Sequence, residues 1–247
     1  MTVDPPSELN PRQRVVFATT HWSMVLSAGE ADSPEADQAL ARLCKSYWYP
    51  LYAYVRRQGY KPEEAQDLTQ EFFARLLAKN YLKSLDRQKG KFRSFLLAAM
   101  EHFLAKEWRD ARRLKRGGGR PILSLDEQDV EARYLIEPAE EMTAERIFER
   151  RWAFTVLEQA IQRLREEFAA AGKGALFESL QGFLSGEKTA YAQLESRLDM
   201  SEGAIKVAVH RMRQRYGDLL RQEIANTVSA PEDVDEEVRY LISVISA

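Results

Sequence analysis

The stretch that decides the reading of this chain is Tyr191-Ala192-Gln193-Leu194-Glu195-Ser196-Arg197-Leu198-Asp199-Met200-Ser201-Glu202-Gly203-Ala204-Ile205-Lys206-Val207-Ala208-Val209-His210-Arg211-Met212-Arg213. Tyr191, Leu194 and Leu198 recur at helical spacing, so residues 190–198 predict a short amphipathic helix. Asp199-Met200-Ser201 follows as a turn. Asp tolerates the left-handed backbone region better than most residues, and Ser201 is a favoured N-cap for a helix starting at Glu202. In that second helix Ile205, Val209 and Met212 face inward, with Met200 plugging the hinge. Lys206, His210, Arg211 and Arg213 fall on exposed or flanking faces. Such a helix fits a DNA major groove and offers donors to base edges and phosphates. Any helical hairpin can imitate the pattern, so periodicity alone leaves a DNA-reading unit and a plain hairpin both open.

Working outward, helical spacing continues on both sides. Leu40, Leu43, Cys44, Tyr47, Trp48, Leu51 and Val55 form one apolar face, with Pro50 expected to kink or restart the helix. Lys61-Pro62-Glu63-Glu64 is a helix start, with Pro in the first turn and acids at the positive end of the dipole. Ala65, Leu68, Phe72, Leu76 and Leu77 are the expected buried face of that helix. Phe92, Phe95, Leu96, Ala99, Phe103 and Trp108 predict a third helix, ended by Gly117-Gly118-Gly119-Arg120-Pro121. Further helices are predicted from about Thr143, broken at Ala171-Gly172-Lys173-Gly174 and again at Ser185-Gly186. There is no β alternation of useful length, and 12 Gly and 9 Pro in 247 residues argue against a turn-rich all-β chain. The class is all-α. The domains expected are an N-terminal extension (1–35), a helical bundle (36–116), a linker (117–142), a helix-turn-helix domain (143–229) and a C-terminal helix (230–247).

The formal net charge is only -2, which excludes a uniformly basic nucleic-acid binder, but it hides segregation. Residues 87–120 hold eleven basic and three acidic side chains, a net of +8. Residues 126–145 hold eight acids and one Arg, a net of -7, so the linker is acidic. Residues 202–222 are positive again, and residues 231–247 carry five acids against Arg239. Two basic blocks separated by acids point to two anion-binding surfaces; ordinary solvated helix faces are the bland alternative.

These segments resemble bacterial RNA polymerase sigma factors of the sigma-70 family, especially the small extracytoplasmic-function (ECF) group. The resemblance covers residues 36–116 and 147–225. Residues 201–213 are similar to the helix of region 4 that reads the −35 promoter element, which implies DNA-facing roles for Lys206, His210, Arg211 and Arg213. Ala65-Gln66-Asp67-Leu68-Thr69-Gln70-Glu71-Phe72-Phe73-Ala74-Arg75-Leu76 is similar to region 2.2, whose polar face docks on the clamp helices of the polymerase β′ subunit. Asp67, Gln70 and Glu71 share one face at i, i+3 and i+4, so the resemblance makes them core-polymerase contacts.

Gly90-Lys91-Phe92-Arg93-Ser94-Phe95-Leu96 resembles the start of region 2.3, near which ECF factors capture a flipped −10 base. Lys89, Lys91 and Arg93 suit phosphates, and Phe92 suits stacking on an unpaired base or a place in the core. Arg109, Arg112 and Arg113 resemble the −10 contact face. The family implies core RNA polymerase (β′ clamp helices and β subunit) and promoter DNA as partners, an anti-sigma factor as a further one, and no cofactor. Glu195 and Asp199 stand where the family has a small residue and Gly. Glu195 is therefore expected to crowd the helix crossing.

The tail residues Val234, Val238, Leu241, Ile242 and Ile245 predict an amphipathic helix after Ala230-Pro231. The plain expectation is docking on the second domain. The sharper one is self-inhibition, with the tail acids covering a basic DNA surface. No apolar run reaches membrane-spanning length, and the start of the chain lacks the basic-then-apolar order of a signal peptide, so a cytoplasmic, nucleoid-associated protein is expected. Catalysis is not expected: the three His are scattered, Cys44 lies on an apolar face, the Gly117 triplet lacks a phosphate-loop Lys-Ser/Thr, and no metal-ligand spacing is seen. The alternatives are a stand-alone helix-turn-helix regulator independent of core polymerase and a helical scaffold.

Overall fold

The computed structural model describes residues 34–77, 91–111, 131, 134, 142–186 and 191–246. Among the described residues, helices α1 (Pro34–Arg57), α2 (Pro62–Leu77), α3 (Phe92–Ala111), α4 (Ala144–Ala170), α5 (Gly174–Leu180), α6 (Tyr191–Leu198), α7 (Glu202–Ala225) and α8 (Asp233–Ser246) carry the fold, with a 3-10 turn at Gln181–Phe183 after α5. The all-α class holds. The chain divides into two compact units, one of residues up to Thr155 together with Ile224–Ala247, the other Val156–Glu223. The divisions between these units fall inside α4 and α7.

In the first unit an aromatic core forms. Tyr47, Trp48, Phe72, Phe73, Phe92, Phe103, Phe148 and Trp152 are all fully buried. Phe72 packs edge-on to Phe103 at 5.7 Å, and Tyr47 to Phe92 at 5.0 Å, the offset geometry aromatic quadrupoles favour. α1 runs unbroken through Pro50, so the expected restart does not occur. Pro50 still lacks the N–H that would bond one turn back.

α2 begins at Pro62 as expected, and Glu64 accepts from the Lys61 N–H at 3.2 Å, closing its first turn. Its buried face is Ala65, Thr69, Phe72, Phe73 and Leu76; Leu68 and Leu77 are only half-buried. Thr69 takes the inner place because its hydroxyl donates to the Ala65 carbonyl at 2.7 Å and so brings no unpaired polar group into the core. Trp108, expected in the core, is 54% exposed.

The acidic segment touches α1 through Glu131. Its carboxylate takes two bonds from Arg56, at 3.0 and 2.6 Å, and one from the Tyr52 hydroxyl at 2.5 Å. α8 also belongs to this unit, not to the second domain as the plain sequence reading had it. Val234 and Leu241 are buried, and the Tyr240 ring sits 6.4 Å from that of Trp152.

The second unit closes around Leu164, Phe177, Leu180, Phe183, Leu194, Ile205, Val209, Met212 and Leu219. Gly172 takes a left-handed φ of 69°, which ends α4 and lets α5 start two residues later. Met200 packs against this core from the turn between α6 and α7.

Candidate nucleic-acid interface

A short turn at residues 199–201 joins α6 to α7. Asp199 sits at φ 51°, the left-handed turn conformation. Ser201 Oγ accepts from the Ala204 N–H at 3.3 Å, the N-cap expected of it. Glu195 does not crowd the crossing. Its Oε1 accepts from the Glu202 N–H at 2.5 Å, so the carboxylate lies against the positive end of α7. The large acid is accommodated because it satisfies a free amide.

On α7, Ile205, Val209 and Met212 are buried, while Lys206, Val207, His210, Arg211 and Gln214 are exposed. Lys206 pairs with Glu202 at 2.6 Å, one turn back, and lies 5.5 Å over the Tyr191 ring. Arg213 is exposed as well, and its Nε and Nη2 donate to the Phe183 carbonyl at 3.2 and 2.8 Å, which ties α7 to the turn after α5. Val207, 49% exposed, was missed by sequence reasoning. The signal was its position one residue after Lys206 and four before Arg211, on the outward face.

On α2, Asp67 is exposed and Gln70 and Glu71 are half-buried, so the three present one polar face. Glu71 accepts from Arg75 at 2.7 Å, and Arg75 also holds Glu107 of α3 at 2.7 Å. The face is therefore braced by α3 rather than freely swinging.

The start of α3 differs from expectation. Phe92 has no exposed surface and packs on Tyr47, so its ring is a core group and cannot stack on a base. Arg93 is buried too, bonded to Glu237 of α8 and 3.5 Å from Glu149. Lys91 is half-buried between Glu236 at 2.7 Å and Glu237 at 3.1 Å.

Further along α3, Arg109 is exposed, its Nε donating to the Ala105 carbonyl at 3.0 Å. With Trp108, Leu104, Tyr54 and Tyr60 it lines an open hollow of about 680 Å³. Lys89, Arg112 and Arg113 lie outside the described residues. Cys44 is buried, and burial pushes its thiol up to about 12, so it stays a protonated core group.

A polar face on α2, a basic start to α3 and a capped α7 with exposed Lys206, His210 and Arg211 make up the geometry. Residues 43–114 match the family model described as Sigma-70 region 2. The match runs from within α1, through α2, to the end of α3, and so covers the polar face and the basic segment together. The match likens this part of the chain, less than a third of its length, to Sigma-70 region 2. Neither a curated protein nor a solved structure matches the chain. No helix among the described residues is long and apolar enough to cross a membrane.

Proposed function

We propose that the protein is a sigma factor of the ECF type, which binds core RNA polymerase, recognises promoter −35 and −10 elements and promotes DNA opening for initiation. The observation that carries this reading is the region 2 match over residues 43–114, the segment that bears both the braced polar face and the basic helix start. Asp67, Gln70 and Glu71 dock on the β′ clamp helices. Lys206, His210 and Arg211 read the −35 element, with Val207 offering the apolar contact that a thymine methyl seeks. Arg213 acts behind them by fixing the helix.

The −10 region is met by Arg109, Arg112 and Arg113, together with the basic start of α3 (Lys89, Lys91 and Arg93). Exposed Trp108, beside Arg109, takes the stacking role for which Phe92 is too deeply buried. The protein performs no chemistry of its own and uses no cofactor. It acts in the cytoplasm at the nucleoid, and an anti-sigma factor is a further partner.

The test is co-purification with core RNA polymerase, comparing the wild type with Asp67→Ala/Gln70→Ala/Glu71→Ala. The wild type is expected in the polymerase fraction and the triple variant is expected to be depleted from it. A wild type that never associates favours the stand-alone regulator, for which Arg211→Ala weakens DNA binding and core polymerase changes nothing.

A further inference from the structure

α8 carries an arrangement that docking alone does not require. Its apolar stripe is Val234, Val238, Leu241, Ile242 and Ile245. Its buried face instead runs through Val234, Glu237 and Leu241, and Ile242 is left 55% exposed. A helix seated only to hide apolar surface would bury Ile242 in the place that Glu237 takes. This one turns a carboxylate inward until Glu237 is 1% exposed.

That carboxylate meets the basic start of α3. Glu237 accepts from Arg93 Nε and, at 3.3 Å, from Arg93 Nη2; its Oε2 is 3.1 Å from Lys91 Nζ. Glu236 accepts from Lys91 Nζ at 2.7 Å on the solvent side. The Tyr240 ring lies 4.0 Å from the Arg93 guanidinium. The segment leading into α8 completes the cover: the Thr227 carbonyl accepts from the Phe92 N–H at 2.9 Å, and Lys91 pairs with Val228 as an isolated antiparallel bridge. Two cations and the first amide of a helix are groups that a nucleic-acid phosphate seeks. Here two carboxylates and a carbonyl, all anionic or dipolar oxygen acceptors, hold them.

We infer that the C-terminal helix is an intramolecular competitor for DNA: Glu236 and Glu237 occupy Lys91 and Arg93 in place of phosphates, and the start of α3 takes up a strand only when α8 withdraws. The inference rests on the proposed assignment of the Lys91–Arg93 segment to DNA and adds a self-inhibited state to it.

The test uses the full chain without polymerase, titrated with single-stranded dT20 over a series of salt concentrations. The chains are wild type, Glu236→Gln, and Glu236→Gln/Glu237→Gln. The Glu236 side chain is 64% exposed, so its replacement leaves folding intact, and circular dichroism melting checks the double variant. Affinity is expected to rise about threefold for Glu236→Gln and about tenfold for the double variant, with the log–log salt slope steepening by roughly 0.7 per freed cation. Adding Lys91→Ala to the Glu236→Gln chain is expected to remove its gain.

Unchanged affinity and slope in folded Glu236→Gln overturn the inference. So does a gain that survives Lys91→Ala, because it then comes from overall charge rather than from this contact. If the double variant does not fold, the single variant decides. A DNA gain of the expected kind in a chain that never joins core polymerase sinks the sigma-factor reading and leaves the competitor standing; polymerase association without the gain sinks the competitor alone.

Discussion

Arg93 is the residue on which the first unit turns. It is buried, bonded to Glu237, flanked by Glu149 and faced by the Tyr240 and Trp152 rings. A buried pair of this kind adds little net stability relative to a well-packed apolar pair, but removing one member leaves an uncompensated charge. Glu237→Ala is therefore expected to destabilise the unit by about 3–5 kcal/mol in denaturant melts, and Arg93→Met/Glu237→Leu to recover most of that loss. A double variant no more stable than Glu237→Ala would show that packing, not charge, sets the cost. At Glu195 the scale is smaller. Its carboxylate caps α7, so Glu195→Ala is expected to cost about 1 kcal/mol of stability in the second unit, while Glu195→Gln, which keeps an acceptor oxygen, costs less.

Among the helices, α7 combines packing with the recognition role proposed for it. Its inward residues close the second core, its N-terminus is capped twice, and Arg213 anchors it to Phe183. Arg211→Ala is expected to weaken promoter binding by about 1–3 kcal/mol with melting unchanged, whereas Arg213→Ala lowers melting as well. Electrophoretic mobility shift with parallel calorimetry separates the two.

α4 and α7 are also joined by Arg215 and Glu167, paired at 2.6 Å. The Arg215 hydrogen bond holds the Glu167 carboxyl below its ordinary value. The folded carboxyl binds a proton less readily than the unfolded one. Its contribution is thus complete above about pH 4.3 and disappears as the pH falls through the lowered value. Both side chains are about 40% exposed, so screening keeps the pair to roughly 0.5 kcal/mol. Wild type is expected to melt about 1–2 °C above Glu167→Gln at pH 7, and the two curves to converge in acid.

These elements also mark how far sequence reasoning reached. The α6–α7 unit was legible because its signals are local: the apolar spacing, Asp199 in the turn, Ser201 before Glu202. The starts of α2 and α3 were legible for the same reason. The place of α8 was not, because an amphipathic stripe predicts a helix without saying which surface receives it. Glu237 lies beside that stripe, and only its partners Lys91 and Arg93, roughly 145 residues back, explain its burial. Of the two places open to Phe92 it takes the core, while Trp108, expected inside, is exposed, since an aromatic on a helix carries the same pattern whether it packs inward or waits for a base.

For the whole molecule, the net charge of -2 is a sum of opposites that meet in the fold. Acids of the linker and the tail bind basic residues of the first unit: Glu131 on Arg56, Glu236 on Lys91, Glu237 on Arg93. The outward face of α7 keeps Arg211 and His210 exposed. Such a chain is suited to positioned DNA contacts rather than to coating DNA. The central claim is that this protein directs initiation by core RNA polymerase. Its most direct test is transcription in vitro with purified core enzyme and fragmented genomic DNA, with sequencing of the 5′ ends. The account predicts discrete start sites that share −35 and −10 elements and appear only when the protein is added; transcripts indistinguishable from those of core enzyme alone would contradict it.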